Sequence, residues 1–139
     1  AYQTGARQGE ILKLKREHID FENKQCTFYD TKNSQDRTIP LAEDTIAIIK
    51  KHVFGEYIFN SNSSRLRKWF RLACKSAKIS NFRFHDLRAC FCTNALLNGW
   101  SIAEVSAVSG HKDWSQLKRY TRIKPKDLLE KINNVVNLK

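Results

Sequence analysis

Between His18 and Pro40 lie three short strand-like runs, His18–Phe21, Gln25–Asp30 and Asp36–Pro40. The polar turns Glu22-Asn23-Lys24 and Lys32-Asn33-Ser34-Gln35 separate them. Strands this short, joined by such tight turns, pair with their neighbours in sequence, so the stretch predicts one small antiparallel sheet. Pro40 ends the third strand because it has no N–H to give to a ladder. The remainder reads as helices joined by short loops. Helices are expected over Thr4–Lys15, Glu43–Lys51, Arg65–Ala77, His85–Leu97, Ser101–Ser109, Trp114–Tyr120 and Lys126–Val136, with a brief extended piece at Tyr57–Phe59. Ser101-x-x-Glu104 is a capping box, Gly99 and Gly110 stand where helices stop, and Pro125 suits a first helical turn. Thr4 is the expected cap of the first helix. In Arg65–Ala77 the apolar set Leu66, Trp69, Phe70 and Ala73 repeats at helical spacing, while Arg67, Lys68, Arg71 and Lys75 fall elsewhere on the wheel. The expected fold is therefore α+β, mainly α-helical, with one three-stranded antiparallel sheet near the N-terminus.

A chain of 139 residues has room for one core, and we expect a single domain over 1–139. No apolar run approaches the ~18 residues a membrane span needs, and no signal peptide opens the sequence. The sequence has no Met, and we expect a fragment or processed piece with something upstream. Charge is the strongest compositional signal: 25 basic against 14 acidic residues, a formal +11. It is also segregated. Ser61–Arg88 holds eight basic residues and one acid, and Lys112–Lys126 holds six and one. A field gathered in this way points to a polyanionic partner, most simply nucleic acid.

Cys26, Cys74, Cys90 and Cys92 form no Cys-x-x-Cys pair and no zinc-module spacing with histidine. Buried free thiols in a reducing compartment are expected. A zinc site using Cys90 and Cys92 is disfavoured, since residues two apart on a helix diverge in direction.

Five short motifs carry possible chemistry, and each has a plain structural reading. In Thr4-Gly5-Ala6-Arg7-Gln8-Gly9-Glu10, Arg7 and Glu10 make an ordinary surface pair, or Arg7 offers its planar fork to a phosphate. Lys32 at the hairpin turn is solvated, or is placed to protonate a leaving oxygen. His85-Asp86-Leu87-Arg88 is a capped helix start, or sets a proton-exchanging imidazole and a phosphate clamp on one helix face. Ser109-Gly110-His111 is a helix stop, with His111 able to give a hydrogen bond to an anion. Tyr120 in Lys118-Arg119-Tyr120 is a half-buried aromatic, or a nucleophile if positive charge and a base activate its phenol.

Taken in order, Arg7, Lys32, His85-x-x-Arg88, Gly110-His111 and Tyr120 closely resemble the catalytic signature of the tyrosine recombinase (phage integrase) family of site-specific DNA recombinases. The match runs from Thr4 to about Ile123, and all six positions are filled. Ser109 departs from the Leu common before that Gly. The resemblance implies the helical catalytic domain of that family. It also implies an upstream core-binding domain that clamps DNA, which these residues do not contain. The implied activity is DNA strand exchange through a 3′-phosphotyrosyl intermediate, without metal, ATP or other cofactor. Arg7 and Arg88 would neutralise the phosphate, His111 would hydrogen-bond it, and Tyr120 would attack. His85 would accept or organise a proton, Lys32 would protonate the departing 5′-oxygen, and Glu10 would hold the helix that presents Arg7.

The basic helix offers Arg65, Arg67, Lys68 and Arg71 for contacts on double-stranded DNA, or is simply a solvated face. The segment 127–136, with Leu128, Leu129, Ile132 and Val135 at helical spacing, folds back on its own core or docks on another protomer. The resemblance implies a homo-oligomer on DNA, a tetramer in the synaptic complex. It also implies a cytoplasmic, DNA-associated location and no membrane partner. Two other readings stay open: a type IB topoisomerase-like nicking and closing activity, and a non-catalytic DNA-binding module that keeps the fold.

Overall fold

The computed structural model describes residues 1–29, 36–53, 55–120 and 132, with Arg119 described in its backbone alone. Lys32 and the segment 127–136, Ile132 apart, lie outside the described residues. Helix α1 is Gln8–Leu12, followed by a 3₁₀ turn, Arg16–His18. Strands β1 (Ile19–Asp20), β2 (Gln25–Phe28) and β3 (Arg37–Pro40) come next, then helices α2 (Glu43–His52), α3 (Ser63–Ser76), α4 (Asp86–Leu97) and α5 (Ile102–Ser109). A second 3₁₀ turn covers Trp114–Tyr120. The mainly helical α+β fold expected from the sequence is the observed one.

The sheet is antiparallel in the order β1-β2-β3, with Cys26 opposite Ile19 on one side and Ile39 on the other. This register puts Ile19, Cys26 and Ile39 on one buried face. Ala6, Leu14, Ile46, Ile49 and Ile58 close over that face. The extended piece at Tyr57–Phe59 is tied in by a bridge between Lys15 and Tyr57 and by Ile58 N–H to the Leu14 carbonyl at 2.8 Å. Apolar burial is divided: a second cluster joins Cys92 and Ala95 of α4, Val105 of α5 and Leu117.

Three local readings are corrected. The first helix does not begin at Thr4. Gly5 has φ +62° and Arg7 is extended at ψ 153°, so helical geometry starts at Gln8 and is over at Leu12. The basic helix does not bury a broad apolar stripe. Leu66, Phe70 and Cys74 form its half-covered face, while Trp69 is 62% exposed. The cause is sparse cover: Phe70 packs on Phe82 and Phe84, with ring centroids 6.1 and 5.4 Å away, and no ring among the described residues covers Trp69 in that way. Trp114–Tyr120 is 3₁₀, not α-helical.

Candidate active site

Three chain segments meet at the C-terminal end of α5. The capping box expected at Ser101 is present, with its hydroxyl accepting from Glu104 N–H at 3.2 Å and the Glu104 carboxylate taking Ser101 N–H at 2.6 Å. The helix ends at Gly110 in the left-handed region, φ +75°. That reversal turns the Ser109 and Gly110 carbonyls toward two arginines. Arg7 Nη2 donates to Gly110 O at 3.0 Å, and Arg88 Nη1 donates to Ser109 O and, at 2.7 Å, to Gly5 O. His111 is the next residue. The loop before α1, the first turn of α4 and the end of α5 are thereby locked around two guanidinium groups.

The two arginines differ in setting. Arg7 caps α1 and is half-exposed. Arg88 is only 3% exposed. Burial lowers its pKa, helped by the nearby Arg7 charge, to about 10, so it remains a cation at neutral pH.

Glu10 sits beneath Arg7. Its carboxylate accepts Arg7 N–H and, at 3.0 Å, Arg7 Nη1. It also takes a two-pronged grip from Arg37, Nη1 to Oε1 at 2.7 Å and Nη2 to Oε2 at 2.9 Å. Burial pushes the Glu10 pKa up, but the Arg37 hydrogen bonds, the Arg7 N–H and the two positive charges outweigh it and hold it at about 2. Arg37 Nε donates to Val108 O at 3.0 Å, and its guanidinium stacks 4.7 Å over Phe28. The surface-pair and phosphate-clamp readings of Arg7 and Glu10 are therefore compatible: the pair exists, and it orients Arg7.

Sequence reasoning missed Arg37. A signal was present: period two along β3 puts Arg37 on the same face as buried Ile39, and a guanidinium on that face needs a carboxylate.

His111 is anchored twice. Ser106 Oγ donates to its carbonyl, and Ser109 Oγ lies 2.7 Å from its Nδ1. Tyr120 ends the second 3₁₀ turn, half-buried against the cluster of Cys92, Val105 and Leu117. His85 is the cap residue of α4, one turn ahead of Arg88, and makes no side-chain capping bond. Asp86 instead takes Arg83 N–H at 2.8 Å. His85 lines a cleft with Gln8, Arg67 and Arg71, so two of the four basic residues singled out on α3 reach the neighbourhood of the site. Arg65 and Lys68 do not line it; Arg65 Nη1 donates back to Asn60 O at 3.3 Å. Lys32 lies outside the described residues.

Among the described residues no three His, Cys, Asp or Glu side chains gather as a metal site would require, and no helix is long and apolar enough to cross a membrane. All four thiols are free, with Cys26 and Cys92 buried.

Known proteins resemble the chain in sequence and in fold. The shufflon-specific DNA recombinase of Escherichia coli is 32% identical over 137 residues, covering 96% of this chain and 35% of that protein. The integrase of Escherichia phage P2 is 31% identical over 130 residues, covering 94% of this chain and 38% of that protein. The chain thus spans little more than a third of these relatives. The catalytic domain of bacteriophage HP1 integrase superposes with a TM-score of 0.75 at 25% identity, covering 98% of this chain and 79% of that one. The model of the phage integrase family matches residues 1–127, which include Arg7, His85, Arg88, His111 and Tyr120. By that match and by its relatives, the chain belongs to the phage integrase family.

Proposed function

We propose that this chain is the catalytic part of a site-specific DNA recombinase that breaks and rejoins strands through a covalent protein–DNA intermediate. One observation carries the reading. Arg7 and Arg88 bond the adjacent carbonyls of Gly110 and Ser109, and His111 follows directly, so two fixed positive charges and an imidazole share one turn. A phosphodiester under in-line attack builds negative charge on its non-bridging oxygens, and preorganised cationic donors stabilise that charge most effectively.

In the proposed step the Tyr120 hydroxyl oxygen bonds to phosphorus and the bond from phosphorus to the 5′-oxygen breaks. The phenolic proton passes to His85, and Lys32 gives a proton to the departing oxygen, which leaves as a 5′-hydroxyl. Arg7 and Arg88 neutralise the non-bridging oxygens, and His111 adds a hydrogen bond. Attack by a 5′-hydroxyl of another strand on the 3′-phosphotyrosine reverses the step and joins new ends. The phosphotyrosyl bond conserves the energy of the broken linkage, so the cycle needs neither ATP nor a metal. Double-stranded DNA is the substrate, with Arg65, Arg67, Lys68 and Arg71 contributing phosphate contacts. Further copies of the chain are the partners, four in the synaptic assembly, with 127–136 as the docking segment.

The test is covalent capture. The full-length protein is incubated with fragmented DNA from its own source, denatured in detergent, and assayed for DNA that stays attached. Adducts that vanish in Tyr120→Phe and exchange of ends between two marked fragments are expected. Adducts that relax supercoils but never join separate fragments would favour a topoisomerase-like enzyme. DNA binding with no adduct in either protein would leave a binding module.

A further inference from the structure

Ser109 stands where a hydrogen-bonding side chain is not needed to end a helix, yet it is completely buried and its hydroxyl touches the His111 ring. Its Oγ lies 2.6 Å from Val105 O and 2.7 Å from His111 Nδ1. A hydroxyl has one proton and two lone pairs. Two oxygens 2.6 Å apart repel unless a proton lies between them, and the Val105 carbonyl has none to give. The Ser109 proton is therefore committed to Val105. With that proton spent, Ser109 Oγ can only accept from His111, so Nδ1 must bring its own hydrogen.

We infer that Ser109 is a positioning residue that fixes neutral His111 as the Nδ1–H tautomer, so that its Nε2 can donate to a DNA phosphate only when the ring is an imidazolium. The inference rests on the recombinase reading for its phosphate but not for its tautomer. It changes the character of His111. A histidine that can choose its tautomer offers an N–H at Nε2 whether neutral or charged; one tied at Nδ1 offers it only as a cation. Ser106 reinforces the arrangement by holding the His111 carbonyl, so the residue is fixed at backbone and ring together. Among the described residues the charged groups around this turn are Arg88 from α4, Arg7 from the cap of α1 with its partner Glu10, Arg37 from β3, and Lys112 and Asp113 next in the chain. Most are cations, and a bound phosphate would bring negative charge to the ring.

The experiment is nitrogen NMR of the full-length protein with ¹⁵N-labelled histidine. Imidazole shifts separate the two neutral tautomers and the cation. His18, His52, His85 and His111 give four signals, and His111→Gln identifies the fourth. Wild-type protein at high pH is expected to show His111 with its proton on Nδ1, and Ser109→Ala to move it to Nε2. An Nε2–H signal in the wild type, or an unchanged tautomer in Ser109→Ala, overturns the inference. The wild-type measurement decides even if the variant does not fold. A second readout is the adduct yield against pH. Wild type is expected to lose about tenfold per pH unit above the His111 titration, and Ser109→Ala to lose much less over the same range. Equal slopes overturn the functional half. Absence of adducts from both proteins would sink the recombinase reading while the tautomer result stood.

Discussion

Arg37 holds Glu10 by both carboxylate oxygens, at 2.7 and 2.9 Å, and Glu10 in turn holds Arg7 by its backbone and its guanidinium. Strand β3 is therefore linked through Glu10 to Arg7, the cap residue of α1. Arg37→Ala strips a largely buried carboxylate of its best partner, and a loss of about 2–4 kcal/mol is expected in denaturant unfolding. Arg37→Lys keeps the charge but not the fork and should recover only part of it.

Acid should act through the same carboxylate. The Glu10 pKa is about 2 folded against an ordinary 4.5, so the folded state binds its proton less readily than the unfolded chain. The stability this confers is complete above pH 4.5 and disappears as pH falls from there through about 2. The shift corresponds to about 3 kcal/mol in all. Wild-type unfolding free energy should drop across that window, and Glu10→Gln should flatten the drop. Parallel curves would show that the shift belongs elsewhere.

The glycines make an internal comparison. A Cβ on Gly5 would sit 2.6 Å from Phe91 Cδ1 at φ +62°, and one on Gly110 would meet Arg37 Nη1 at 3.0 Å at φ +75°. Gly5→Ala should cost about 2–4 kcal/mol, from backbone strain plus the displacement of the Phe91 ring. Gly110→Ala should cost about 1–3 kcal/mol and loosen Arg37. Gly9 lies in α1 with nothing within 4 Å, and Gly9→Ala should stabilise by about 0.5–1 kcal/mol. Thermal melts of the three variants rank them directly.

Under the recombinase reading, Arg7→Ala and Arg88→Ala should each lower adduct formation by about 10²–10³-fold. Arg88→Ala should also destabilise, because its guanidinium ties Gly5 to Ser109, whereas Arg7→Ala should leave melting nearly unchanged apart from freeing Glu10. Tyr120→Phe should retain DNA binding with no adduct.

Replacing Arg65, Arg67, Lys68 and Arg71 together by Ala should weaken binding to unrelated DNA sequences alike. The slope of log affinity against log salt should fall by about one for each phosphate that is no longer neutralised. An unchanged slope would make this helix face a solvated surface.

What the sequence disclosed followed from local rules. The turn at Glu22-Asn23-Lys24, the Ser101–Glu104 box and the Gly110 stop each depend on residues within four positions, and each stands as expected. The short α1 was hidden because Gly5 takes a positive φ, at a point where it packs closely against Phe91, 86 positions away. Trp69 misled for a related reason: helical period says which side chains share a face, not whether another element covers it. Within the site, the ordered motif indicated Arg7, Arg88 and His111. The groups that hold them are Arg37, Ser106 and the carbonyls of Gly5, Ser109 and Gly110. Carbonyls have no sequence signature, since every residue owns one.

Arg88 is a buried cation, oriented by two carbonyls. Carbonyl dipoles aim a charge without cancelling it, and Glu10 is already divided between Arg7 and Arg37. Among the described residues no carboxylate forms an ion pair with Arg88, so its charge is not directly cancelled there. An anion that settles beside Arg88 completes the interior as well as filling a site, so occupancy and folding become one equilibrium. Ligand at a hundred times its dissociation constant adds about 2.7 kcal/mol to stability. Under the recombinase reading, the DNA phosphate would then act as the last structural component of its own site.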